Sequence, residues 1–144
     1  MTRFGYPAST PAVQAPPAGP VTESGTYTPS SGIISGLQVG LVASLTQWMR
    51  VGDIVTVAGR LDGTALGNSP VQFTVAVPVV PNPVFQVPTR LNGVVTARNT
   101  VTGATISGIV YARVIGAATQ AQCDLENTTA DLFNYYYVYT YSLT

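Results

Sequence analysis

Hydrophobic and polar positions alternate in short runs along most of this chain, and turn residues bound the runs. Val71, Phe73, Val75 and Val77 alternate with Gln72, Thr74 and Ala76, the period of two expected of a half-buried strand. Leu37, Val39 and Leu41 alternate in the same way with Gln38, Gly40 and Val42. Further strands are predicted over 44–51, 54–62, 91–98, 104–114, 119–127 and 132–143. A first strand or edge segment lies in GTYTPSSG, ended by Pro29. Gly52 and Asp53 supply turn chemistry between two of these runs, and 99–103 reads as a hairpin loop because it is polar and ends in Gly. Apolar residues nowhere recur at helical spacing over three turns, so almost no helix is expected. Roughly eight or nine short strands with frequent turns indicate a sandwich or barrel. Without helical crossovers the strands should be antiparallel. The fold expected is all-β: an antiparallel, jelly-roll-like β-sandwich, with an immunoglobulin-like one as the second choice.

Residues 1–24 break this pattern. Pro7, Pro11, Pro16, Pro17 and Pro20 each fix φ and remove a backbone donor, which excludes helix and central strand. An extended N-terminal arm remains, reaching about 3.1 Å per residue, and the β domain is expected over 25–144. Arg3, Phe4, Tyr6 and Val13 are the arm's candidate anchors. The arm is either a flexible tail or docks on a partner or a neighbouring copy. Pro78, Pro81, Pro83 and Pro88 interrupt a second stretch, so 79–88 is expected to be a surface loop or an edge segment.

Charge narrows the function classes. The six basic residues, all arginine, balance six acids. A net charge of zero argues against nucleic acid, whose affinity rests on phosphate neutralisation, and against a polybasic membrane contact. Only 8% of residues are charged, against about one-quarter in an ordinary soluble domain. Either uncharged polar residues cover the outside or much of the surface is buried in an assembly. No basic start followed by an apolar run marks a signal peptide, and no apolar stretch approaches the roughly 20 residues of a transmembrane helix. Synthesis in a cytoplasm is the expectation.

Enzyme chemistry finds little support. Histidine is absent, which removes serine triads and most zinc sites. No phosphate-binding glycine loop opens a helix. Cys123 has no cysteine to pair with and reads as a small apolar strand residue. Asp124 and Glu126, two apart on a predicted strand, would share a face about 7 Å apart. They read as solvated acids; a cation held with Asn127 and Asp131, or glycosidase-like catalysis, are the alternatives. No enzyme activity, metal or cofactor is expected.

The last strand, FNYYYVYTYSL, places Phe133, Tyr135, Tyr137, Tyr139 and Tyr141 on one face and Asn134, Tyr136, Val138, Thr140 and Ser142 on the other. Such a tyrosine face can fill a core while its hydroxyls reach polar partners, form a subunit interface, or stack on sugars. In 54–62, Val55, Val57, Gly59 and Leu61 share one face. Gly59 suggests a bulge or the close approach of another backbone. Trp48 reads as core, and Arg60 and Asp62 share a face and can pair.

Two segments also carry a resemblance. Gly25-Thr26-Tyr27-Thr28-Pro29, followed by Gln47-Trp48-Met49-Arg50-Val51-Gly52-Asp53-Ile54-Val55-Thr56-Val57-Ala58-Gly59, resembles a small β domain of tailed-phage virion proteins. In that family GTYTP opens the domain and an RVGxxVTVxG hairpin follows. Trp48 stands where tyrosine is usual there, and Ala58 where serine is usual. The likeness covers about residues 25–61. It implies a compact, generally trimeric β-sandwich from a head-decoration (cement) protein or the end of a tail fibre or spike. On the first reading the protein is a homotrimer on the outer capsid surface of a virion, its arms bound to the major capsid protein. On the second it is a receptor-binding tip for host surface glycan.

Overall fold

The alternating runs pair as strands because each has one apolar face to bury and turn chemistry at its ends. The computed structural model describes Gly19 and residues 21–79, 91–115, 118–126 and 129–143. Within these the strands are β1 (Thr22–Tyr27), β2 (Ser31–Ser35), β3 (Val42–Ala43), β4 (Thr46–Val51), β5 (Ile54–Thr64), β6 (Val71–Ala76), β7 (Asn92–Asn99), β8 (Thr105–Ile115), β9 (Ala118–Leu125) and β10 (Leu132–Ser142). The described residues contain no helix. Every strand pair is antiparallel, so the fold is all-β and antiparallel as expected.

One hydrogen-bonded sheet runs in the order β1-β4-β5-β10-β7-β8-β9-β6-β2, with β3 added on β5. The sheet curls until distant strands face one another. Phe73 on β6 meets Tyr135 on β10 edge to face at 5.3 Å, although β7, β8 and β9 lie between those strands in the ladder. The layers of the expected sandwich are therefore continuous through one curled sheet. Its two ends, β1 and β2, are consecutive in the chain and joined by residues 28–30. The Tyr27 hydroxyl donates to the Ala76 carbonyl at 2.7 Å and ties β1 to β6 across the gap. Inside lie Val55, Val57 and Leu61 of β5, Val71, Phe73 and Val75 of β6, Ala121, Cys123 and Leu125 of β9, and Tyr135, Tyr137, Tyr139 and Tyr141 of β10. Alternate residues of each strand supply this core, as the period of two requires.

Three expectations need correction. The arm, expected over 1–24, gives up its last three residues: Thr22, Glu23 and Ser24 pair with Val51, Arg50 and Met49. Backbone pairing decides this, and TES carries no apolar signal of it. The run from Leu37 to Val42 is not one strand, and only Val42 belongs to a strand, β3. Leu37 makes only an isolated bridge to Ala65, Gly40 sits at φ 104°, which ends regular extension, and Val39 is 96% exposed. SGIIS, just before it, forms β2 instead. Finally, Gly59 marks no bulge, because the β5–β10 register passes through it unbroken. A Cβ there would strike the Tyr137 ring and the Thr46 hydroxyl, so side chains, not another backbone, claim the space.

Candidate functional site

The expected site residues on the arm, Arg3, Phe4, Tyr6 and Val13, lie outside the described residues, as do Asn127 and all but the first residue of the 79–88 loop. The remaining candidates lie on the sheet, and β10 at its centre sorts them.

The inward face of β10 is a ladder of buried tyrosines. Tyr135, Tyr137, Tyr139 and Tyr141 are all within the core of one chain, with Tyr137 and Tyr139 stacked at 6.1 Å and Tyr139 and Tyr141 tilted against each other at 6.0 Å. Buried hydroxyls need partners, and three of these have them. Tyr137 shares a 2.8 Å hydrogen bond with Thr46, and Tyr139 one of 3.3 Å with Tyr27. Tyr141 donates to the Val79 carbonyl at 2.6 Å and accepts from the Val79 amide at 3.1 Å. The Tyr135 hydroxyl has none among the described residues. Burial raises the pKa of all four hydroxyls, and of Tyr27; for Tyr141 it is pushed up to about 12. Of the three uses open to this face, the structure places it in the core. These rings offer neither a sugar platform nor a surface to a neighbouring subunit.

Outside the same layer the picture reverses. Register aligns Gln47, Ala58, Val138, Val94, Ile109 and Asp124 in one row across β4, β5, β10, β7, β8 and β9. At its centre Val138, Val94 and Ile109 are 51%, 55% and 60% exposed. The neighbouring rows carry Tyr136 with Thr96 and Ser107, and Met49 with Thr56, Thr140 and Asn92. A hollow of about 520 Å³ lies at one end of the central row, lined in part by Ser24, Thr26, Gln47, Met49, Thr56 and Ala58. Another of about 380 Å³ lies at the other end, lined in part by Ser107, Ile109, Asp124 and Glu126. Arg60, at the margin, grips Asp62 through Nε at 2.8 Å and Nη2 at 2.9 Å, with its guanidinium 5.9 Å from the Tyr136 ring centre. This is the pair expected from the sequence; exposed, it adds little stability. Trp48 is half-buried and packs against the core from the inward side.

The carboxylates do not assemble as a cation site. Asp124 accepts from the Tyr111 hydroxyl at 2.7 Å and from Gln122 Nε2 at 2.9 Å. That carboxylate is also the main cause pushing the Tyr111 hydroxyl up to about 12, ahead of burial. Glu126 lies past the end of β9, though it lines the same hollow as Asp124. Asp131 is engaged elsewhere. It accepts from Thr129 at 2.6 Å and Asn99 at 2.8 Å, and these bonds hold its carboxyl below the usual range. Among the described residues no three Asp, Glu or Cys side chains converge on a point that could hold a metal ion. Cys123 is buried, and desolvation raises its thiol far above the reactive range.

Compared with known protein families, with curated proteins and with solved structures, the chain gives no match. The outer row is the feature that sequence reasoning passed over. Val94 and Ile109 fall in runs apolar at both parities, so period alone does not say which face they take. Only Val138, opposite the tyrosines, carried a usable signal.

Proposed function

We propose that this chain is a structural virion protein of a tailed phage, a decoration or cement protein that binds the outer surface of the head as a trimer. The observation that carries the reading is the way the two halves of the resemblance meet. GTYTP and QWMRVGDIVTVAG are some twenty residues apart in the sequence. They lie side by side as β1, β4 and β5, with Gly25 directly opposite Trp48. A Cβ at Gly25 would stand 3.0 Å from the indole nitrogen, so the glycine and the aromatic residue make one packing unit. The pattern thus describes a structural module, which supports reading it as a domain signature. The low charge and the exposed apolar row suit a protein whose surface is engaged in an assembly.

The action is mechanical. Each trimer buries apolar surface across joints between capsid subunits, at about 25 cal/mol per Å² before the costs of association. The arms, anchored through Arg3, Phe4, Tyr6 and Val13, bind neighbouring capsid subunits and add avidity. Quantitative mass spectrometry of purified virions tests this through the copy number of the chain. A number of the same order as the major capsid protein is expected. A handful of copies would overturn head decoration and turn the search to a tail-fibre tip that binds host glycan.

A further inference from the structure

We infer that the outer face of the β4–β5–β10–β7–β8 layer is covered by a second copy of this chain, seated on the ridge of Val138, Val94 and Ile109. The inference builds on the multimeric reading above by naming its contact face, and its test needs no capsid.

Three observations carry it. The first is area. The ridge continues through Tyr136 on one side and through Met49, Val51 and Ile54 on the other, each between 43% and 52% exposed. Together these side chains expose on the order of 600 Å², at the upper end of the largest patch on an ordinary monomer and close to the roughly 800 Å² per partner of a standard interface. Buried polar tyrosines and a well-filled core show that this fold does place apolar groups inside, so the exposed row is not a failure of packing.

The second is charge. Charges stand only at the margins of this face, where Arg60 pairs with Asp62, Arg98 and Arg113 lie at opposite edges and Asp124 ends the row; the centre carries valine, isoleucine, tyrosine, threonine, asparagine and serine. A nucleic acid or an anionic membrane needs arginines or lysines here. A charged protein partner needs complementary charge. The centre of the face has neither, and it meets the centre of its own copy without like charges opposing one another there, and copies of the chain are always at hand at equal concentration.

The third is shape. The central row is a ridge with a hollow at each end, the larger beside Ala58 and the smaller beside Ile109. A copy displaced along the row sets its ridge into a hollow of the first. Ridge and hollow on one face let the ridge of each copy enter a hollow of the next, a head-to-tail contact of the kind that closes a ring.

Sedimentation velocity of the full chain over a concentration series tests the assignment. Wild type is expected to sediment as a multimer. Val138→Lys and Val94→Lys place a charge in the ridge and should each raise the dissociation constant about 100-fold or more, with an unchanged circular dichroism spectrum. Val101→Lys, at a position 74% exposed in the 99–103 hairpin loop, should leave the multimer intact. Should a ridge variant fail to fold, Thr96→Lys in the adjacent row carries the same test. A monomeric wild type, or a multimer whose dissociation constant the folded face variants do not change, overturns the inference. A wild-type multimer lost in the ridge variants, yet scarce in virions, would sink the head-decoration reading and leave this one standing.

Discussion

Tyr137 and Val138 are neighbours on β10, and they meet opposite fates. The first points into the core, stacks on Tyr139 and bonds Thr46, with Gly59 left empty to make room for it. The second points out, half exposed, in a row of small apolar residues with no described contact to commit it. The inward face is specified in detail because each buried hydroxyl must find a partner and each ring must find a gap. The outward face is constrained only by strand propensity, and it is free to carry function. One strand thus holds the fold on one side and offers a surface on the other.

The comparison breaks most visibly when the two neighbours are truncated in turn. Tyr137→Ala should cost about 3–5 kcal/mol in urea denaturation, since it opens a cavity and orphans Thr46. Val138→Ala should change stability by about 0.5 kcal/mol or less. Equal effects would show that the two faces are not so distinct. Gly59→Val comes next, at about 1–3 kcal/mol, because the new side chain enters space held by Tyr137 and Thr46.

Alkaline pH probes the whole ladder at once. Five hydroxyls, those of Tyr27, Tyr135, Tyr137, Tyr139 and Tyr141, have folded values raised above the ordinary 10.0 by burial. Their neutral forms favour the folded state, so the stability they contribute is complete below pH 10 and is lost as pH rises from there towards the folded values. Absorbance at the phenolate band, followed beside circular dichroism, should show these tyrosines ionising together with cooperative unfolding. Smooth ionisation of all eight tyrosines in a chain that stays folded would contradict their burial.

A finer contrast lies within the ladder itself. Tyr141→Phe leaves the Val79 amide and carbonyl without their partner and should cost about 1–3 kcal/mol. Tyr135→Phe removes a hydroxyl that has no described partner, and it should be neutral or stabilise by a few tenths of a kcal/mol. A clear loss in Tyr135→Phe would reveal a polar partner or a bound water at that position.

Much of this was legible from residues alone. The strict alternation of FNYYYVYTYSL assigned every side chain of β10 to its correct face, and Gly52 with Asp53 marked the turn between β4 and β5. The run at 37–42 misled because it has the right period but pairs only at its ends, Leu37 with Ala65 and Val42 with Asp62, and a period reports only what a chain could bury. The strand at Thr22–Tyr27 starts earlier than its apolar residues suggest, since ladder hydrogen bonds are indifferent to side-chain polarity. Gly59 was noticed for the right reason, close approach, but the approaching group was a side chain from a strand nearly eighty residues away.

Local alternation, turn residues and the absence of helical spacing determined by themselves that this chain folds as antiparallel β-sheet. They did so because backbone pairing and one-sided burial leave few other solutions for such runs. The absence of histidine likewise means that no imidazole is there to act as base or ligand. What only the tertiary structure decided is which apolar face is spent inside and which is left outside. The curl of the sheet brings β6 over β10 and closes the core on the tyrosines. Val138, Val94 and Ile109, equally apolar, remain on the outer side, half exposed among the described residues.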